Sequence, residues 1–544
     1  MRYSSSIPEF SYKITFQLFP HDTHISLEMM RWLMWLSQIL HLSLLLYSEV
    51  TSSSFPSSSS ALLCSQDQSS ALLQFKQLFT FSEDASSSCD EVGHHSYPKM
   101  ESWKDATDCC SWDGVTCDSA RGDVIGLDLS CSWLYGTIPS NTTLFLLSHL
   151  QHLNLALNDF NSSSISSRFG QFASLSYLNL SNSAFSGQVP YELSQLSQLA
   201  SLDLSIFHLS LETSVVKRLV QNLTKLRDLH LDLSDMSSVS LTSFMNLSSS
   251  LMSLSLKSCE LRGRLPDNIF RLPNLRELNL FGNSELTGIF PLSNWSNPLR
   301  FLDLSETAFS GELPKSIGNL KFLRQLVLNG CNFTGSVPAS VGNLTQLTLL
   351  DISNNHFSGE IPSTLSNLRE LSRLDLSNNN LSGPIPVSLS FLKDLTLIDL
   401  RQNNFGGEIP DLFPNLTKLT DAYMSDNQLT GLIPQGKQFA TFQNDSYDDN
   451  LGLCGFPLSK QCTTDASPLT PPSIFQEDND SMFASGFGWK AVLIGYGCGL
   501  VFGLAVGYVA FKTEKPHWLV RFVEGERNGK TRRPNNKRLG RRRS

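Results

Sequence analysis

The chain has 544 residues, 40% hydrophobic and only 17% charged, with a formal net charge of −9. That charge is divided: from Lys512 onward 12 basic residues stand against 3 acidic ones, and the rest of the chain carries 29 against 47. The basic tail of 33 residues is far too short for a kinase, and it has no Gly-rich loop, H-R-D or D-F-G, so signalling chemistry of that kind is excluded from it.

Residues 1–60 form an N-terminal extension and signal peptide. Arg31 precedes the apolar run WLMWLSQILHLSLLLY and a Ser-rich stretch to Ser60, the order of a secretory signal. Met29 or Met30 is expected as the start, and a second membrane span is the other reading of this run. Residues 61–118 read as an N-terminal cap. Cys64, Cys89, Cys109, Cys110 and Cys117 lie here with Cys131 just beyond, and Cys454 and Cys462 pair naturally at the far end. Even cysteine counts at both ends of an extracellular chain point to disulfide-sealed caps. A zinc site at D-C-C-x6-C lacks a second ligand pair, so no metal and no cofactor is expected.

Residues 119–440 are a repeat array. LRFLDLSETAFSGELPKSIGNLKF from Leu299 aligns with LRQLVLNGCNFTGSVPASVGNLTQ from Leu323 at a period of 24. Thirteen L-x-L centres follow: Leu127, Leu153, Leu178, Leu202, Leu229, Leu254, Leu278, Leu302, Leu326, Leu350, Leu374, Ile398 and Ala422. This is the leucine-rich-repeat pattern, and it predicts an α/β solenoid with a parallel β-sheet on the concave face. A single turn cannot bury its Leu face; stacked turns can. Five residues after a centre an inward amide recurs (Asn158, Asn283, Asn355, Asn379, Asn403, Asn427), with Thr307, Cys259, Cys331, Phe207 and Ser234 in the same slot elsewhere. Seven after a centre comes an aromatic column of Phe160, Phe185, Phe309, Phe333, Phe357 and Phe405. The spacing holds at 24 from Leu254 onward, which leaves no room for a non-repeat island.

Residues 441–476 read as a C-terminal cap and 477–490 as an acidic spacer. Residues 491–511 are uncharged and long enough to cross a ~30 Å hydrocarbon core as a helix. Lys490 and Lys512 bracket that run. Gly495, Gly499, Gly503 and Gly507 recur every four residues in it and share one helix face, a groove for close approach of a second helix. Residues 512–544 form the basic tail, read as cytoplasmic and in contact with anionic inner-leaflet lipid rather than nucleic acid. Sequons lie at Asn141, Asn161, Asn179, Asn222, Asn246, Asn294, Asn332, Asn343, Asn380, Asn415, Asn444 and Asn479, all before the span. The expected topology is therefore single-pass type I at the plasma membrane, with the body outside. No catalytic constellation emerges, so the chain is not expected to be an enzyme.

Three further stretches carry a resemblance: SWKDATDCCSWDGVTCD, IPQGKQFATFQNDSYDDNLGLCGFPLSKQC and YGCGLVFGLAVGYVAFKTEKPHWLV. With the G-x-[ILV]-P turns at Gly311, Gly335, Gly359, Gly383, Gly407 and Gly431, the chain resembles the kinase-less plant leucine-rich-repeat receptor-like proteins of the Cf disease-resistance type. The resemblance implies disulfides Cys64–Cys109 and Cys110–Cys117, leaving Cys89 and Cys131 as a third pair. It also implies an extracellular protein or peptide ligand and a signal passed through partner receptor-like kinases. A developmental co-receptor or decoy for a peptide hormone or cell-wall component is the alternative function.

A ligand would meet the concave face, where thirteen strands at ~4.8 Å spacing give a surface of roughly 60 Å. Outward positions that depart from the default Asp, Asn or Ser are the candidates: Tyr177, Asp228, His230, Asp232, Lys257, Glu277, Phe281, Phe301, Gln325, Val327, Arg401 and Tyr423. Arg276, Arg300 and Arg324 recur one per turn and would stack as a basic column able to hold a carboxylate, or else pair with Glu277 and Glu306.

Overall fold

A computed structural model describes residues 64–462, apart from 92, 294, 437 and 440. The extension and signal run, the span with its four glycines, the acidic spacer, the basic tail, Asn294 and Asn479 lie outside the described residues.

The array begins on a cap. Ser65 opens the helix Gln66–Lys76, its hydroxyl accepting from the Gln68 N–H at 3.3 Å, and the helix buries Leu72 and Phe75. Trp103 and Trp112 stack at 5.5 Å beneath it. Strand Val115–Cys117 runs antiparallel to Val124–Asp128 and so closes the edge of the main sheet. Three disulfides hold the cap: Cys64–Cys109, Cys110–Cys117 and Cys89–Cys131. The last ties the cap to the first repeat and settles the third pair. Cys454–Cys462 seals the other end.

From Val124 to Tyr423 thirteen parallel strands stack in the order of the chain, and with the cap strand they make a 14-stranded sheet. Their register joins centre to centre, as in Leu302↔Leu326 and Leu350↔Leu374. No insertion interrupts the sheet. The centres are at most 1% exposed, so each turn buries its Leu row only against its neighbours.

The predicted amide column is present. Asn379 shows how it works: its Nδ2 donates to the carbonyls of Ile352, Leu376 and Ser377, and its Oδ1 accepts from the Phe357 N–H. One side chain thus satisfies four backbone groups at the point where the chain leaves the strand. The column also runs one turn further than the L-x-L pattern. Asn450 donates to Met424, Tyr447 and Asp448 and accepts from Leu429, so the C-terminal cap opens with a truncated fourteenth turn.

Phe207 departs from expectation. It is not in the column but 63% exposed, because Ile206 takes the inward place at 2%. Ser234 does occupy its slot and is fully buried. Cys259 and Cys331 sit there too, their thiols directed at the Leu231 and Leu304 carbonyls at 3.1 and 3.0 Å. Burial pushes both thiols up from their ordinary value, which disfavours the reactive thiolate at either position.

The G-x-[ILV]-P turns build a second parallel sheet, continuous from Ser310–Glu312 to Gly452–Cys454. Gly383 shows why glycine is needed: its φ is +80°, and a Cβ would lie 2.7 Å from Glu360 Cγ. Before Ser310 this sheet is broken into two short pairs, and the turn centred on Leu229 joins it only by the single bridge Ser210↔Asp235.

Candidate ligand-binding face

Residues immediately before and after each strand centre, and the one three after, face the concave side. The default Asp there has a local task. Asp351, Asp375 and Asp399 are buried, and each accepts from the N–H two residues on, at Ser353, Ser377 and Arg401. The default residue at these positions thus serves the turn itself.

The candidates fall into separate groups. Tyr177 stacks on His152 at 4.2 Å near the N-terminal end. Arg401 and Tyr423 lie near the other end, with the guanidinium 4.5 Å over the ring and forked onto the Asp399 carboxylate. Phe301 and Val327 are half-buried, and Gln325 is exposed.

The densest group spans the turns centred on Leu202, Leu229, Leu254 and Leu278. His230 Nε2 lies 2.9 Å from Ser253 Oγ, and Ser253 Oγ also donates to Glu277 at 3.1 Å. Asp232 Oδ1 accepts from Ser255 Oγ at 2.6 Å and from the Lys257 N–H at 2.8 Å. The Lys257 ammonium rests over the Phe281 ring at 5.1 Å. His230 Nδ1 stands 3.9 Å from Asp203 Oδ2, which is ion-pair rather than hydrogen-bond distance.

Burial of the His230 ring works against its charge, but Asp203 first, then Asp232 and Asp228, outweigh it and raise its pKa. Asp203, half-buried, is held below the usual carboxylate range by His230 and Ser205 against the opposing effect of burial. Asp228 is pushed up, by burial and by Glu277. Asp203 and His152 were not among the sequence candidates. Asp203 carries the default residue, and its one signal was His230 at the equivalent place in the next turn.

Arg276, Arg300 and Arg324 stand at the entry to successive strands. Their backbones are linked in series: Arg300 N–H to Arg276 O at 2.6 Å and Arg324 N–H to Arg300 O at 2.8 Å. All three side chains are exposed, and among the described residues none reaches a carboxylate at ion-pair distance. The alternative pairing with Glu277 or Glu306 is therefore not what the structure has.

The sequons divide by face. Asn141, Asn161, Asn222, Asn246, Asn332, Asn343, Asn380, Asn415 and Asn444 are exposed, none of them on a strand of the concave sheet. Asn179 alone lies on such a strand; it is half-buried and accepts from the Ser181 N–H at 2.8 Å. Among the described residues the group with metal-ligand spacing is Cys64, Cys109 and Cys110, whose sulfurs are in disulfides.

Family models match residues 65–118 as a leucine rich repeat N-terminal domain, 291–395 as a leucine-rich repeat region, and 174–196 and 394–416 as leucine rich repeats. Receptor-like protein 6 of Arabidopsis thaliana is 44% identical over 269 residues, 48% of this chain and 27% of that one. Receptor-like protein Cf-9 of Solanum pimpinellifolium is 40% identical over 274 residues, 49% of this chain and 31% of its own length. The chain thus spans under a third of the length of these relatives. The solved plant peptide hormone receptor RGFR1 in complex with RGF2 is 27% identical, covering 60% of this chain and 62% of that one, with a TM-score of 0.49. That likeness is too loose to bear on the ligand.

Proposed function

We propose that this chain, which resembles the plant leucine-rich-repeat receptor-like proteins of the Cf type, a non-enzymatic receptor class, is a cell-surface receptor. Its concave face takes an extracellular protein or peptide. Residues 491–511 cross the plasma membrane, and the stripe of Gly495, Gly499, Gly503 and Gly507 docks the helix of a partner receptor-like kinase, which starts the defence response. The tail from Lys512 rests on anionic lipid.

The observation that carries the reading is the division of sequons between faces. Every strand of the concave sheet from Leu202 to Ala422 is free of them, while the other sides of the same turns carry them repeatedly. A glycan is bulky, so a face that a protein must approach has to be clear of glycans. The unpaired arginine column stands at the edge of that clear face, where guanidinium forks can meet a ligand carboxylate.

The test is co-purification from plant-cell membranes of the tagged chain, beside a variant with all four stripe glycines changed to Leu. A receptor kinase recovered with the first and lost with the second supports the docking role. If both variants reach the plasma membrane and neither recovers a kinase, the signalling reading fails and a decoy role replaces it. Changing Arg276, Arg300 and Arg324 together to Gln is expected to lower ligand response at least roughly tenfold, as loss of charge-assisted pairs should. An unchanged response removes the column from the site.

A further inference from the structure

We infer that the rim of the concave face at the turns centred on Leu202 and Leu229 is a docking surface for an extended peptide segment in which a Lys or Arg side chain stands beside an apolar one. The inference rests on the reading of the concave face as the ligand face and deepens it.

The first observation is an aromatic side chain where the repeat has no use for one. In the regular turns the position five after the centre is a buried amide. Here the turn places Ile206 inward instead, and Phe207 points to solvent, edge-on to His208 at 4.3 Å. Leu233, in the next turn, is also exposed and has a φ of +66°. The two segments run side by side: the Asp232 N–H donates to Ser205 Oγ at 3.3 Å, and the Asp235 N–H to Leu209 O at 2.8 Å. Phe207 and Leu233 therefore share one rim. Exposed apolar side chains brought together at an edge gain by covering, at about 25 cal/mol per Å² buried.

What covers them is set by the charges beside them. Asp203, Asp228 and Glu277 line the adjoining strands, and Asp232 follows the strand that holds Asp228. The cations facing them are Lys257, whose ammonium is drawn onto Phe281, and His230, with Arg227 and Arg276 at the strand entries. With His230 neutral, these four carboxylates face one lysine, with the two arginines standing at the strand entries. An acidic floor beside an apolar rim complements a basic side chain next to an apolar one. The stretches 203–210 and 230–237 hold no sequon, and Asn222 and Asn246 end helical segments away from the sheet; Asn179, in register with Asp203 on the adjoining strand, is half-buried with its Oδ1 accepting from the Ser181 N–H.

The experiment measures binding of three labelled ten-residue peptides, alternating Lys-Leu, Ser-Leu and Glu-Leu, to the full chain. Two double variants are run beside it, Phe207→Ser with Leu233→Ser and Asp203→Asn with Asp232→Asn; Asn keeps the acceptor oxygens that serve the turns. The Lys-Leu peptide is expected to bind about tenfold more tightly than Ser-Leu, and each double variant to lose roughly that factor. Lys-Leu binding that neither variant alters, or none at all, overturns the inference. A preference for Glu-Leu that disappears when Arg276, Arg300 and Arg324 become Gln overturns it while leaving the concave-face reading intact. Binding of all three peptides that is indifferent to both double variants and to the arginine changes overturns both.

Discussion

The turns from Leu350 to Ala422 and those from Leu202 to Leu254 are built on the same strand and the same Leu row, yet they solve the exit from the strand differently. In the first group four successive amides, at Asn355, Asn379, Asn403 and Asn427, each satisfy carbonyls of two turns, and the second sheet runs without a break. In the second group a serine and a cysteine fill the slot at Ser234 and Cys259, Phe207 leaves it altogether, and the second sheet breaks. The regular half has spent its polar atoms on its own backbone. The irregular half lacks that column, and we propose that Phe207, His230, Asp232 and Lys257 there face a partner, although Asp232 also accepts from the Lys257 N–H.

The sharpest way to break this contrast is to damage each ladder in turn. Asn379→Ala leaves the carbonyls of Ile352, Leu376 and Ser377 and the Phe357 N–H without their side-chain partner. A buried unsatisfied group costs about 1–3 kcal/mol, so a loss of roughly 3 kcal/mol in urea unfolding is expected after partial relaxation. Ser234→Ala removes one long contact, 3.5 Å to Leu204 O, and should cost under about 1 kcal/mol. Equal losses would mean that the two halves are held in the same way.

Gly383→Ala tests the second sheet. Its φ of +80° and the approach of Glu360 Cγ both oppose a Cβ, so a loss of about 1–2 kcal/mol is expected. The Glu360 side chain is the far end of a flexible group, so Gly383→Ala combined with Glu360→Ala should recover part of that loss and leave the backbone share. Full recovery would show that φ contributes nothing.

Most of this was readable from the repeat. Period 24 fixed the strands and their order, and G-x-[ILV]-P marked the second sheet where it is continuous, because each feature depends on contacts one turn away. Three things were not readable. Asn450 carries the ladder without an L-x-L strand beneath it, since the 3-10 turn Asn444–Ser446 replaces that strand, with the Met424 N–H donating to Ser446 O. Phe207 was counted by position, but a 27-residue turn containing the helix Thr213–Asn222 shifts which residue points inward. Asp203 was set aside as a default residue, because pairing with His230 is made between turns and leaves no mark within either.

The smallest expected effect is also the most diagnostic of the irregular half. The pKa of His230 is raised in the folded chain by Asp203, Asp232 and Asp228 against the opposing effect of burial. A raised pKa means that the folded state binds the proton more tightly than the unfolded one. The stability it contributes is thus fully present below the ordinary histidine value of about 6.5 and is lost as pH rises through the higher folded value. The ring is about one-third exposed, at 34%, so solvent screening keeps the contribution under about 1 kcal/mol. His230→Gln should therefore lower stability at pH 5 and leave it nearly unchanged at pH 8, whereas removing a purely packing side chain would cost the same at both. The same proton acts oppositely on a basic ligand: it places a positive charge among the four carboxylates, so the Lys-Leu peptide should bind more weakly at pH 5 than at pH 8, and His230→Gln should flatten that difference. A variant that flattens the stability profile but not the binding profile would place the cation site away from His230 while leaving the Phe207–Leu233 rim in play.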